Sequence, residues 1–241
     1  MKKKYAYVWI TLVILVFGII FVPRIVDRIG SGTVVENDRM SRKDNNAELA
    51  YIYLDGKKKR VPAFEFVDQD SLLISDKDYL GKVYVVEFFF TSCPSICPIM
   101  TKNLVDIQEE FKTSQDFGVA SFTITPEYDT PMVLKEYAEK HGITNLDWHL
   151  LTGSQEAIYE LANKGFNIFV SEMPDAPGGF EHAGLFALID KKGYLRSRVG
   201  EFGNPIIYYR GAITQEQGEN SQGEKEQISI LKEDIQKLLN E

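Results

Sequence analysis

Between Lys82 and Thr91 the chain reads KVYVVEFFFT, β-branched or aromatic almost throughout. A run with no polar face to offer water predicts a strand buried on both sides at the centre of a sheet. Pro94 and Pro98 lie just beyond it, and Met100, Leu104, Ile107 and Phe111 then recur at helical spacing. A central strand therefore hands over to a helix. The only two cysteines of the chain, Cys93 and Cys97, sit at that handover.

Other elements follow the same logic. Val61–Val67 reads as a short strand before the turn Asp68-Gln69-Asp70-Ser71, and Val119–Thr125 as a second sheet strand. Thr130 caps a helix with Pro131 at its first position, and Gly142 ends it. Trp148–Leu151 reads as a short extension, and Ser154 opens a helix that stops at Gly165. Phe166–Val170 reads as a strand ahead of a loop, Ser171–Glu181. Gly184–Ile189 and Tyr194–Val199 flank a hairpin turn at Asp190-Lys191-Lys192-Gly193. Ile228, Leu231, Ile235 and Leu238 mark a terminal helix. A βαβ crossover, further helices, a hairpin and a last helix predict an α/β mixed sheet with flanking helices, the thioredoxin-like arrangement.

The start of the chain has another character. Lys2, Lys3 and Lys4 precede Tyr5–Val22, a run of 18 residues without a charge that ends at Pro23. About 20 apolar residues cross a bilayer, so residues 1–23 predict one transmembrane helix, with Tyr5, Tyr7 and Trp9 at an interface. The lysines place the N-terminus in the cytoplasm and the rest of the chain on the outer side of the membrane. No small-residue A-x-A cleavage site follows the run, which argues for an anchor over a signal peptide. The lack of an Arg- and Ser-rich transit sequence favours a bacterial cell membrane. Residues 24–49 are polar and read as a flexible linker, and residues 50–241 as the folded domain, with a Glu/Gln/Gly-rich stretch over 215–227 expected to be mobile.

Charge separates these parts. Residues 1–28 carry a net +4 and the whole chain −8, which leaves −12 on residues 29–241. An acidic domain argues against nucleic acid as a partner and leaves open docking to a basic protein face.

A disulfide closing so small a loop as Cys93–Cys97 removes little chain entropy. The pair is better read as metal ligands or as a redox couple. On the first turn of a helix, four residues apart, the two sulfurs would share a face, and the helix N-terminus would favour thiolate. Thiolates are soft donors suited to Cu(I) or zinc, and two of them leave a coordination shell incomplete. Of the three histidines, His141 suits a helix C-terminus beside Gly142, and His149 suits a half-buried strand position in WHLL. His182 follows a Pro- and Gly-rich loop, MPDAPGGFE, and precedes a strand, where it is either a third ligand or a surface histidine. Met100 fits the apolar stripe of its helix better than a ligand's role, and Met173 is open.

At these residues the chain resembles the SCO/SenC family of copper chaperones for cytochrome c oxidase assembly. EFFFTSCPSICPIMT (87–101) contains that family's T-x-C-P-x-x-C-P signature, and DTPMVLKEYAEKHG (129–142), WHLLTGS (148–154) and EHAGLFALIDKKGYLR (181–196) resemble its further segments. The resemblance implies a thioredoxin-like fold and one copper ion, Cu(I) or Cu(II), held by Cys93, Cys97 and His182. It also implies a membrane anchor, and delivery to the dinuclear copper site of an oxidase subunit. An upstream copper donor or a thiol reductant would be further partners. The chain departs from the family in having Thr125-Pro126 where Asp-Pro is common, Glu181 where Asp is common, and a longer stretch from 201 to 227.

Two other readings compete. A thiol–disulfide oxidoreductase would use Cys93 and Cys97 as a redox-active disulfide, although such enzymes favour two intervening residues over three. Outside the cytoplasm it would also need an electron source. A thiol peroxidase would need only one of the cysteines, and His182 would be dispensable.

Overall fold

The computed structural model describes residues 12, 14–18, 48–54, 56–173, 179–200 and 203–241, with Glu181 and His182 described by their backbone alone. The chain divides into two units, Met1–Asn46 and Ala47–Glu241. In the first unit, residues 12 and 14–18 are helical. The remainder of the expected anchor, and the linker up to residue 47, lie outside the described residues. Among the described residues no helix is long and apolar enough to cross a membrane.

The second unit is built on a sheet of seven strands among the described residues. They are β1 (Ala50–Tyr51), β2 (Val83–Phe89), β3 (Phe117–Thr123), β4 (Trp148–Leu151), β5 (Leu185–Ile189), β6 (Leu195–Ser197) and β7 (Tyr209–Arg210). Their order is β1-β6-β5-β2-β3-β4, with β7 paired to the first residues of β5. β2 runs parallel to β3 in a register from Val83↔Phe117 to Phe89↔Thr123, and β3 parallel to β4. β5 is antiparallel to both β2 and β6. This is the expected mixed sheet. Trp148–Leu151, the expected short extension, is an edge strand of it.

Every residue of β2 and β3 is buried, because helices cover both faces. Val83 and Val85 pack with Met100, Leu104 and Ile107 of helix α1 (Cys97–Phe111), and with Ile228, Leu231, Ile235 and Leu238 of the terminal helix. Each such side chain contributes about 1.5–3 kcal/mol on burial. The alternate residues Tyr84, Val86 and Phe88 pack with Phe64, Phe66, Phe122 and Phe166. The period of two in a strand thus splits one apolar run between two cores.

Helix α2 (Pro131–His141) has the expected ends. Thr130 accepts a hydrogen bond from Val133 N–H, and Gly142 takes a left-handed φ of 74°. Helix α3 (Gln155–Glu160) starts at the cap Ser154 but does not end at Gly165. It continues as a π-helical turn, Leu161–Phe166, and stops at Asn167, a left-handed residue whose N–H bonds Ala162 O. That wider turn consumes the start of the strand expected at Phe166–Val170. The expected loop from Ser171 instead holds an antiparallel ribbon, Val170–Glu172 with Phe180–His182. Helix α4 (Ile228–Asn240) closes the fold.

Candidate metal and thiol site

β2 delivers the chain to Phe90. Thr91 and Ser92 then turn, and Cys93 N–H bonds back to Phe90 O at 3.2 Å. Pro94 and Ser95 bend, Ile96 is the cap of α1, and Cys97 is its first residue. Pro98 next to it costs nothing, since the first amides of a helix lack intrahelical acceptors. Cys93 therefore precedes the helix instead of lying on its first turn, which corrects the expected shared helical face. The two sulfurs meet because the turn folds back, so that the side chains of Cys93 and Cys97 hydrogen-bond each other. Cys93 Sγ also lies 3.6 Å from Ser95 Oγ.

Both cysteines are buried. The Cys97 thiol is pushed far above its ordinary range, first by its bond to Cys93 and then by burial. In the metal-free dithiol these two effects oppose, at Cys97, the thiolate character expected of the pair at a helix end. A soft cation that replaces the proton reverses this balance.

His182 is placed by its backbone, opposite Val170 in the ribbon. Two contacts bracket it. Two residues before it, the Phe180 ring lies 5.5 Å from the ring of Phe90, three residues ahead of Cys93. Two residues after it, Gly184 is so close to the start of α1 that an added Cβ would stand 3.0 Å from Ile96 Cδ1. The segment carrying His182 runs along the segment carrying both cysteines. Among the described residues no group of three or more His, Cys, Asp or Glu forms a metal cluster, and the His182 side chain lies outside that description.

The other candidates have structural partners. His149 Nδ1 is 2.8 Å from Asp68 Oδ2, edge-on to Tyr79. His141 ends α2 with its ring centroid 4.2 Å from that of Tyr137. Met100 is fully buried in the core beneath α1, whereas Met173 is exposed.

Two carboxyl groups near the cysteines escaped the reading of the sequence. Glu87 is buried within β2, where Ser121 Oγ donates to its Oε1 at 2.7 Å and Oε2 has no hydrogen-bond partner. Burial lifts its pKa to about 7 against the pull of the Ser121 bond. A lone charge inside an apolar strand was the available signal. Asp129, just ahead of the α2 cap, is also fully buried, and it accepts hydrogen bonds from Thr91, Thr123 and Thr125. Nothing in its spacing announced that convergence.

The long stretch after Gly200 passes beside the site. Asn103 Nδ2 of α1 donates to Gly211 O at 2.8 Å and Ile213 O at 3.1 Å. Within the part expected to be mobile, Gln215 Nε2 donates to Ser229 Oγ, and Asn220 accepts at its Oδ1 from Gln222 and Glu224 N–H.

Comparison with known proteins finds relatives of this sequence and fold. The family model described as SCO1/SenC matches residues 54–211. A Bacillus subtilis SCO1 protein homolog is 35% identical over 135 residues, covering 55% of this chain and 69% of its own. The crystal structure of a SCO1/SenC family lipoprotein from Bacillus anthracis superposes with a TM-score of 0.59 at 28% identity, over 74% of this chain and 94% of its own. BsSco, described as having a disulfide switch and as a member of the Sco family of cytochrome c oxidase assembly proteins, gives 0.59 at 27% identity, over 75% of this chain and 93% of its own.

Proposed function

From the premise that this chain belongs to the SCO1/SenC family, we propose that it is a membrane-anchored, copper-binding metallochaperone. It delivers copper to, or prepares the cysteines of, the dinuclear copper site of a respiratory cytochrome oxidase. The apolar run Tyr5–Val22 is the basis for the tether, with the domain on the outer face of a bacterial membrane. The acidic balance of residues 29–241 suits docking to a basic face of the oxidase subunit.

One observation supports this reading above the others. Phe180 on Phe90 and Gly184 on Ile96 bring the ribbon of His182 alongside the Cys93 turn. Two sulfurs and an imidazole make a donor set that suits copper. Cys93 and Cys97 would hold the ion through sulfur and His182 through a ring nitrogen, with copper as cargo. Capture displaces the thiol protons, so uptake strengthens as pH rises. Release needs a receiver whose own soft ligands compete for the ion. The site's burial keeps water from the sulfurs in the interval.

A second reading has its own support. The side chains of Cys93 and Cys97 are in hydrogen-bonding contact, and two adjacent thiols are what a redox couple requires. BsSco is described as carrying a disulfide switch. Thiol–disulfide exchange with an oxidase subunit, fed by an external thiol reductant, uses the same two residues.

The test is metal analysis of the reduced full-length protein in detergent. One copper per chain is expected, with sharply weaker binding in Cys93→Ala, Cys97→Ala and His182→Ala. Undiminished affinity in His182→Ala would falsify the three-ligand site. Rapid metal-free reduction of a disulfide substrate, lost in the cysteine variants, would shift the reading to the oxidoreductase.

A further inference from the structure

Two contacts of the backbone hold the turn that carries Cys93, among those described. One is the bond from Cys93 N–H to Phe90 O, inside the turn. The other reaches outside it. Thr91, two residues before Cys93, donates its N–H to Asp129 Oδ2 at 3.1 Å and its hydroxyl to Asp129 Oδ1. We propose that Asp129 and Thr91 are a positioning pair that fixes the Cys93 turn for metal capture, a role that rests on the copper-binding reading above.

Asp129 is suited to that task because it is itself immobile. It is fully buried, and Thr123 Oγ1 and Thr125 Oγ1 both donate to its Oδ2, the latter at 3.0 Å. Thr123 ends β3 in register with Phe89, and Ile124 N–H bonds Phe89 O at 2.8 Å. Asp129 N–H bonds Thr125 O at 2.9 Å, and Thr130 next to it caps α2. The carboxylate is therefore anchored to the sheet and to a helix, while Thr91 lies past the end of its strand. Rigidity passes from Asp129 to Thr91 and not the reverse. Outer partners of this kind fix ligand orientation, and their loss weakens metal binding.

The departure at Thr125 fits the same scheme. A carboxylate at that position would face Asp129 with like charge. A hydroxyl instead donates to it, so one carboxylate collects three hydroxyls and an amide. In this chain the acceptor at the mouth of the cysteine turn is Asp129.

Three variants of the reduced full-length protein in detergent test the pair: Thr91→Val, Thr91→Ser and Thr123→Val. Thr91→Val keeps the residue's shape and removes the hydroxyl on the cysteine side. Copper affinity should fall about 10- to 100-fold, the range for lost outer-shell partners. The sulfur-to-Cu(II) absorption should change, and Cys93 in metal-free protein should react faster with a maleimide. Thr91→Ser should restore all three. Thr123→Val removes a hydroxyl from the same carboxylate at a residue fixed by the sheet ladder. It should lower thermal stability and, because Asp129 keeps its bonds to Thr125 and to both donors of Thr91, change copper affinity, absorption and labelling less than Thr91→Val does.

The inference is overturned if Thr91→Val binds copper with wild-type affinity and absorption. It also fails if Thr123→Val weakens binding as much, since Asp129 then supports the fold and not the turn. Wild-type protein that takes up no copper sinks the proposed function instead. Labelling rates of Thr91→Val against Thr123→Val still decide, in that event, whether the pair holds the turn.

Discussion

Phe180 meets Phe90 with ring centroids 5.5 Å apart and planes tilted by 59°. Phe90 belongs to the strand end that leads to Cys93, and Phe180 to the ribbon that carries His182. An aromatic pair of this kind is worth about 0.5–1.5 kcal/mol beyond the area it buries. Here it also joins two segments far apart in sequence, one carrying the cysteine pair and the other His182.

Phe180→Ala should therefore loosen the ribbon without touching a cysteine. Copper affinity, measured by competition with a chelator, is expected to fall, while the reactivity of the metal-free thiols stays as in wild type. Equal affinity in the variant would mean that other contacts place His182.

Glu87 gives the chain a pH dependence of stability. Burial raises its carboxyl from the ordinary 4.5 to about 7. The folded state keeps a proton that the unfolded chain releases between those values, so stability is lost as pH rises through that window. The full difference amounts to about 3 kcal/mol. Glu87→Gln does not titrate, and its stability curve from urea unfolding at pH 4 to 8 should lack this slope. A wild-type curve that is flat or rising between pH 4.5 and 7, with the same shape in Glu87→Gln, would contradict the assignment.

Much of the architecture was legible because it follows from local pattern. An apolar run such as Val83–Phe89 can only be central, and Thr130 with Pro131 can only open a helix. The cysteine pair was legible as chemistry, since its spacing and its place at a strand end need no tertiary knowledge. Its geometry was not, because Thr91, at the start of the Cys93 turn, bonds Asp129, 38 residues away. The ribbon at His182 was hidden for a related reason: Phe180 is settled by a contact with Phe90, not by its neighbours. The π-helical turn was missed because Gly165 reads as a stop, while its close packing on Pro62 is what the fold uses. Glu87 was visible as a charge in a buried strand, but only the structure supplies its neighbour Ser121.

Arg196 ties the two ends of the domain together. It is nearly inaccessible, donates to Leu49 O at 2.8 and 3.2 Å, and pairs with Asp190 at 3.1 Å and Glu241 at 2.9 Å. Removing one partner from a buried ion pair costs about 3–5 kcal/mol, since the other charge stays behind. Arg196→Ala should show a loss of that order in denaturant unfolding. A loss well below 1 kcal/mol would show that water replaces the guanidinium without penalty.

The stretch after Gly200 makes a sharper prediction, because Gly211, next to strand β7, packs directly on a side chain of β5. An added Cβ there would lie 2.6 Å from Phe186 Cζ. Phe186 is fully buried in β5 and has nowhere to move. Asn103 meanwhile holds the Gly211 carbonyl, which restrains the backbone from retreating. Overpacking of this kind typically costs about 1–3 kcal/mol. Gly211→Ala should therefore lower the urea midpoint. Asn103→Ala frees the Gly211 and Ile213 carbonyls, and it should lower the midpoint as well, by leaving them unsatisfied. The double variant is the decisive measurement. With the tether from Asn103 gone, the segment can shift to admit the methyl group, and the two losses should sum to more than the double variant shows. Strict additivity would mean that Asn103 does not hold the segment against Phe186.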